Sequence, residues 1–436
     1  MGVLSMSYHY LLDIALILIS TKIFGLLTSR IQLPQVVGAL IAGLLLGPAC
    51  LGWLQATDFL SQLSELGVIV IMFTAGIGTD LKELKQTGKA GLLVALCGVL
   101  VPLGVGAALM AVFNRGEFAY PGDTMLQNLF MGTILTATSV SITVETLKEM
   151  GKLSTKVGNT ILAAALIDDI LGLICLTLVT SLAGSEVSIW IVLLKIVAFF
   201  LFAGVAGVLA VKALNWYEKR VHDRNLHRFP ILAFVLCLLM AYLAEELFGV
   251  ADIIGAFAAG LVVANTSKAH YIESKFSPLS YLLLTPIFFA SIGIKVEVPQ
   301  MDTMIVLFTV LLVIVAVITK LVGCGLGAKI CGMPTRQCVQ IGCGMVCRGE
   351  VALIVADKGM ALNLLNPVFS GPIVIMIVFC TILTPVLLKV VFKGENRYEG
   401  LEQSDLVDTY ELKEQFDIVT DRLLDEEERR HEKQKH

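Results

Sequence analysis

Two adjacent carboxylates, Asp168 and Asp169, interrupt an otherwise apolar run from Ile161 to Ser181. About 20 such residues span a bilayer, so both acids fall near mid-membrane. An ionised side chain there costs ~2.5 kcal/mol or more and usually marks an ion or proton pathway. Successive helical residues diverge by ~100°, so the two acids cannot face the same neighbour. One can line a cavity while the other meets a partner. The alternative is a pair of packing acids neutralised by protonation or a salt bridge. The chemistry such groups support is the holding of a cation or a proton.

Other unusual residues lie in other apolar segments. Lys320 is the one charge well inside the run Met304 to Ala328, either snorkelling to the interface or paired with Asp168 or Asp169. Thr136-Ala137-Thr138-Ser139-Val140-Ser141-Ile142-Thr143 is rich in hydroxyl and β-branched residues, which weaken a helix and bond backbone instead. Gly342-Cys343-Gly344-Met345-Val346-Cys347-Arg348-Gly349-Glu350 places three glycines and two charges in one span. Both stretches are expected to unwind, which is tolerated at membrane depth only where backbone is buried or lines a cavity. Unwinding exposes helix ends whose partial charges need compensation, and Glu145, Arg348 and Glu350 are the candidates for it. A polar helix-packing seam is the alternative for both.

These residues need membrane helices to position them. The 436-residue chain is 56% hydrophobic and 16% charged, the composition of a polytopic membrane protein. Hydropathy predicts an all-α chain of thirteen spans, at about 8–29, 34–53, 62–79, 90–113, 125–147, 156–183, 187–211, 229–248, 250–266, 277–294, 303–328, 336–356 and 367–392. Lys and Arg concentrate in alternate loops, among them Lys82, Lys85, Lys89, Lys148, Lys152, Lys212, Lys219, Arg220 and Arg224. That bias puts the N-terminus outside and the C-terminus in the cytoplasm.

Val36-Val37-Gly38-Ala39-Leu40-Ile41-Ala42-Gly43-Leu44 in span 2 matches Ile253-Ile254-Gly255-Ala256-Phe257-Ala258-Ala259-Gly260-Leu261 in span 9. The offset of seven spans is odd, so the copies cross the membrane in opposite directions, an inverted-topology repeat. A transmembrane domain is expected over 1–392, with repeat one at about 8–183, a linking span at 187–211 and repeat two at 229–392. Residues 393–436 form a charged cytoplasmic tail. The ten cysteines carry no metal-ligand spacing, and nothing resembles a phosphate-binding loop or a nucleic-acid module. No enzyme chemistry, cofactor, nucleic acid or nucleotide-binding domain is therefore expected, and the bilayer is the expected partner.

The chain resembles sodium/proton antiporters of the monovalent cation:proton antiporter-2 family, in its NapA-like electrogenic branch, over about residues 8–392. The resemblance rests on Leu33-Pro34-Gln35-Val36-Val37-Gly38 through Gly47-Pro48, Gly255 to Gly260, and Pro286-Ile287-Phe288-Phe289. It rests also on Arg348-Gly349-Glu350-Val351-Ala352-Leu353, and above all on Thr136-Ala137-Thr138-Ser139-Val140 followed by Asp168-Asp169. It implies a fold of two inverted repeats with crossed broken helices, electrogenic exchange of Na⁺ (or Li⁺ or K⁺) for H⁺, and a homodimer. By the same resemblance Asp169 binds the cation and Asp168 pairs with Lys320. The density of hydroxyls at Thr136, Thr138 and Ser139 makes these the candidates to supply oxygens or hold the break beside the acids. Cys347 departs from the family, which often has proline there. A cation-selective channel, a potassium-efflux-type transporter and an organic-anion symporter on a related fold are the competing expectations.

Overall fold

The computed structural model describes residues 9–30, 33–79, 81–115, 118–183, 189–220, 228–296 and 302–393, so most of the tail lies outside the described residues. The first seven helices are α1 (His9–Arg30), α2 (Gln35–Leu46), α3 (Asp58–Ile77), α4 (Leu81–Phe113), α5 (Thr124–Thr136), α6 (Val140–Glu149) and α7 (Lys156–Leu182). Then come α8 (Ile189–Arg220), α9 (Arg228–Glu246), α10 (Asp252–Ala264), α11 (Ala269–Leu279) and α12 (Thr285–Ile294). The order closes with α13 (Thr303–Ile330), α14 (Thr335–Gly344), α15 (Glu350–Ala361) and α16 (Ser370–Val391). Side-chain caps start several of them, as where the Thr155 side chain accepts from the Gly158 N–H and Asp123 from Met125 and Leu126.

Among the described residues, ten helical segments are long and apolar enough to cross a membrane. The shorter apolar α2 and α10 and the broken pair α14–α15 accompany them, an arrangement consistent with thirteen crossings. Two boundaries differ from the hydropathy reading. Helix α4 starts at Leu81 rather than residue 90, because its first turns carry lysines and drop out of an apolar window. The crossing that includes Pro286 begins at Ala269 and passes through a π-helical turn, Ser280–Leu284, just after Pro278. Proline removes a helical donor, and the wider turn absorbs the defect.

The helices sort into two groups. In one, α4 packs on α5, α7 and α13, while α13 also meets α14 and α16. In the other, α3 packs on α10 and α12, α2 on α1 and α12, and α9 on α10. Helix α8 touches α7 in the first group and α9 and α10 in the second. The groups themselves meet where α2 and α3 touch α6 and where α2 touches α16.

The repeated glycine motif explains part of the second group. A Cβ on Gly38 would strike the Phe24–Gly25 backbone of α1, and one on Gly255 the Met240 backbone of α9. In each copy the first glycine thus admits the preceding crossing. A Cβ on Gly43 would strike Ala290 of α12, and one on Gly260 Phe73 and Gly76 of α3. Here each copy meets the following crossing of the other repeat, as an internal two-fold requires. We expect Gly76→Ala, whose methyl would press on the Phe257 carbonyl, to destabilise the protein by about 1–3 kcal/mol. Thermal melting in detergent measures this, and an unchanged melting temperature would count against close α3–α10 packing.

Candidate ion-binding site

The site lies where two interrupted helices cross beside α7. Helix α5 stops at Thr136, the chain runs extended through Ala137 and Ser139, and α6 begins at Val140. Helix α14 stops at Gly344, and α15 begins at Glu350. Both breaks fall within the stretches whose composition argues against continuous helix. They are bonded to each other: the Ser139 N–H donates to the Cys347 carbonyl at 3.1 Å, and the Thr143 hydroxyl to the Gly344 carbonyl at 2.8 Å. Gly349 is required at the contact, because a Cβ there would lie 2.7 Å from the Ser139 Oγ.

Asp168, 1% exposed, turns toward α13 and accepts two bonds from Lys320 Nζ, at 2.8 Å to Oδ1 and 2.9 Å to Oδ2. The Thr138 hydroxyl donates to the same Oδ2 at 2.6 Å. Lys320 is fully buried, so its ammonium does not snorkel. Helix α4 closes over the pair at Gly98, where a Cβ would stand 2.5 Å from Cys324 Sγ, 3.7 Å from the Lys320 ammonium and 3.8 Å from Asp168 Oδ1.

Asp169 points the other way. It lines a cavity of about 430 Å³ together with Asp168, Thr133, Thr136 and Ala137, and among the described residues no donor reaches its buried Oδ2. The same cavity is lined by Glu65 of α3, Glu245 at the end of α9 and Asp252 at the start of α10. It therefore extends toward the side of the molecule where α3 and α10 begin. On the opposite side, where α2 begins, a second cavity of about 310 Å³ is lined by Lys22, Gln35, Glu145, Glu149, Tyr281 and Phe289. Neither aspartate is part of its lining.

At the crossing, the bonds of the Arg348 guanidinium among the described residues go to backbone carbonyls. Its Nη2 donates to the Leu135 carbonyl at 2.8 Å and to Ala316 at 3.4 Å, and Nη1 to Met345, Val346 and Cys347, each at 3.4 Å. Leu135 belongs to the last turn of α5, and Met345 follows the end of α14. The guanidinium therefore sits between the negative ends of two half-helices, where a cation is favoured. Glu145 is elsewhere, in the second cavity, with its Oε2 buried and unbonded. The Glu350 side chain lies outside the described residues. Thr136 donates to the Thr133 carbonyl at 2.7 Å, and Ser139 Oγ stands 3.5 Å from Ser141 Oγ.

The family model described as sodium/hydrogen exchanger, transmembrane, matches residues 15–394. The chain belongs to this exchanger family. It is similar to the Na(+)/H(+)-K(+) antiporter GerN of Bacillus cereus, 39% identical over 90% of this chain and 98% of that protein. It is also similar to the Na(+)/H(+) antiporter of Enterococcus hirae, 36% identical over 86% and 96%. Among solved structures, the sodium proton antiporter MjNhaP1 of Methanocaldococcus jannaschii shares the fold. Its TM-score is 0.67 at 18% identity, over 93% of this chain and all of that one.

Several residues that line or support the candidate site carry little signal in the sequence. Gly98 is one glycine among 38. Glu65, Glu245 and Asp252 sit near span ends, where acids are ordinary. Thr381 and Thr384 of α16 are buried three residues apart on one helix face, a faint polar stripe in an apolar span. For Arg348, removal would leave the Leu135 and Met345 carbonyls without this donor, at a cost of about 1–3 kcal/mol. Arg348→Ala is expected to lower both the melting temperature and the exchange rate. Wild-type melting together with wild-type exchange would contradict the bracing role.

Proposed function

We propose that this exchanger moves a monovalent cation against protons by letting the two compete for Asp169. The observation that carries the reading is the buried, unbonded Oδ2 of Asp169 on a cavity wall beside an Asp168–Lys320 pair already satisfied. An ionised carboxylate away from water is costly unless something compensates its charge, and either a proton or a cation does so. One ligand excludes the other, so the loaded site carries a cation in one direction and a proton in the other. Thr136 and the carbonyls of the α5 break are the oxygens nearest to hand for a cation at this wall.

Na⁺ is the proposed cation, supported by the names of the relatives; GerN's name adds K⁺, which keeps K⁺ exchange as the second reading. The Lys and Arg bias supports an outside N-terminus and a cytoplasmic C-terminus, with the Asp169 cavity opening outward. The apolar faces that α1 and α8 leave uncovered are compatible with a homodimer in the bilayer. A passive channel is disfavoured because a pore needs one path past the acids, whereas the second cavity does not reach them. The domain division proposed is that of the sequence, two inverted repeats within 1–392 followed by the 393–436 tail.

Asp169→Asn keeps the shape of the side chain and removes the charge that both ions compete for. In proteoliposomes, Na⁺-induced collapse of a pH gradient should disappear while the protein inserts and melts normally. Exchange at the wild-type rate would reject Asp169 as the shared site.

The Asp168–Lys320 pair gives the cycle a second charge. A proton reaching Asp168, or a cation settling on Asp169, leaves the Lys320 ammonium less compensated and favours loss of its proton. Exchange is then electrogenic, with Lys320 a proton carrier. Lys320→Gln should reduce the current per cation in solid-supported membrane recordings while cation binding at Asp169 persists. Undiminished current per cation in the variant would leave Lys320 a brace between α7 and α13.

A further inference from the structure

The break between α14 and α15 offers buried carbonyl groups at membrane depth, and each must find a donor. Gly344 receives the Thr143 hydroxyl, Met345 and Val346 receive Arg348 Nη1, and Cys347 receives the Ser139 N–H. Gly349 receives the Ala352 N–H as α15 begins. The remaining carbonyl, that of Arg348 itself, takes the hydroxyl of Thr381, with only a long Cys347 thiol contact of 3.8 Å besides. Thr381 is 1% exposed and is contributed by α16. The break is thus held from the α5–α6 crossing, from its own arginine, and from α16, whose Thr381 takes the Arg348 carbonyl.

The peptide that Thr381 holds is a consequential one. It joins Arg348, whose guanidinium reaches the end of α5, to Gly349, whose backbone abuts Ser139. Ser139 follows Thr138, whose hydroxyl bonds Asp168. A turn of this peptide would therefore be passed along a packed chain of contacts to the acid pair.

The two repeats share a logic here. Helix α7 and helix α16 are seven crossings apart, and each bonds a break through one buried polar side chain. In α7 that side chain is Asp168, accepting from Thr138. In α16 it is Thr381, donating to the Arg348 carbonyl.

We propose that Thr381 is a positioning residue for cation binding, its hydroxyl fixing the Arg348–Gly349 peptide and through it the geometry of Thr138 and the acid pair. The proposal rests on the antiport reading. Wild-type exchange in the same vesicles reports on that reading, and the variants report on Thr381.

The test is the apparent KM for Na⁺ and the maximal rate, measured alongside thermal melting. Thr381→Val matches the shape and removes the donor, leaving a buried carbonyl unpaired. Its apparent KM should rise roughly five- to tenfold, the weight of one lost hydrogen bond. Thr381→Ser keeps the hydroxyl and should restore KM to within about twofold of wild type on the same grounds. A purely structural role would lower melting temperature and maximal rate with KM unmoved, and that result overturns the proposal. So does a serine variant as impaired in KM as the valine one. If the valine variant fails to fold, Thr381→Cys, a weaker donor of similar size, takes its place. A KM for the cysteine variant clearly above that of the serine variant supports the proposal, and a KM within about twofold of wild type overturns it.

Discussion

The buried ion pair between Asp168 and Lys320 is the constraint that the surrounding helices satisfy. Two charges taken from water lose several kcal/mol of hydration each, and their attraction offsets this only with good geometry and further hydrogen bonds. The geometry here is two short contacts from one ammonium to both carboxylate oxygens. The further bond is the Thr138 hydroxyl, which is available only because the chain between α5 and α6 runs extended. Helix α4 then seals the pair through Gly98, since any larger residue would collide with Cys324 before α4 came this close. A pair so fully satisfied leaves its neighbour, Asp169, as the acid with spare capacity.

The broken helices follow from the same economy of charge. Each interruption leaves carbonyls and N–H groups that lipid cannot bond, so the breaks must lie against each other. Ser139 and Cys347 bond across the crossing, and Gly349 admits the approach. Arg348 then meets the carbonyls at the ends of α5 and α14 directly. Glu145 lines a different cavity.

Much of this was legible in the sequence, and the reasons are specific. The acid pair, Lys320 and Arg348 stood out because charge is rare within apolar runs. The breaks were marked by hydroxyl-rich and glycine-rich composition, and the repeat by matching glycines whose packing proves to be symmetrical. What composition could not convey was partnership at a distance. Whether Lys320 met Asp168 or Asp169 depends on which way α7 is rotated, and that is set by α4 and α13 together. The role of Gly98 depends on a helix more than 60 residues away in the chain, and that of Thr381 on one carbonyl in the α14–α15 break. Glu145 was noted for its charge and sits where charge alone gave no direction. The early start of α4 escaped because lysine-bearing turns look like loop to a hydropathy window.

The division of the helices adds a further consequence. Every residue that satisfies the ion pair or the crossing belongs to the group containing α4–α7 and α13–α16. The acids Glu65, Glu245 and Asp252, which share the Asp169 cavity, belong instead to α3, α9 and α10. Polar links between the groups include the Gln35 N–H to Glu149 at 2.9 Å and Lys148 to the Thr74 hydroxyl at 3.4 Å, both on the side opposite that cavity. The polar bonds described for the charged centre come from its own group, while apolar side chains of α6, α7 and α13 share one core with α2, α3 and α10 of the other. A displacement of one group against the other would leave the buried pair and both breaks intact while changing which side Asp169 faces. Competition at Asp169 then needs no rearrangement of the site itself, only a change in what covers it. The displacement itself then breaks neither helix interruption, whatever protonation changes the pair undergoes within the cycle.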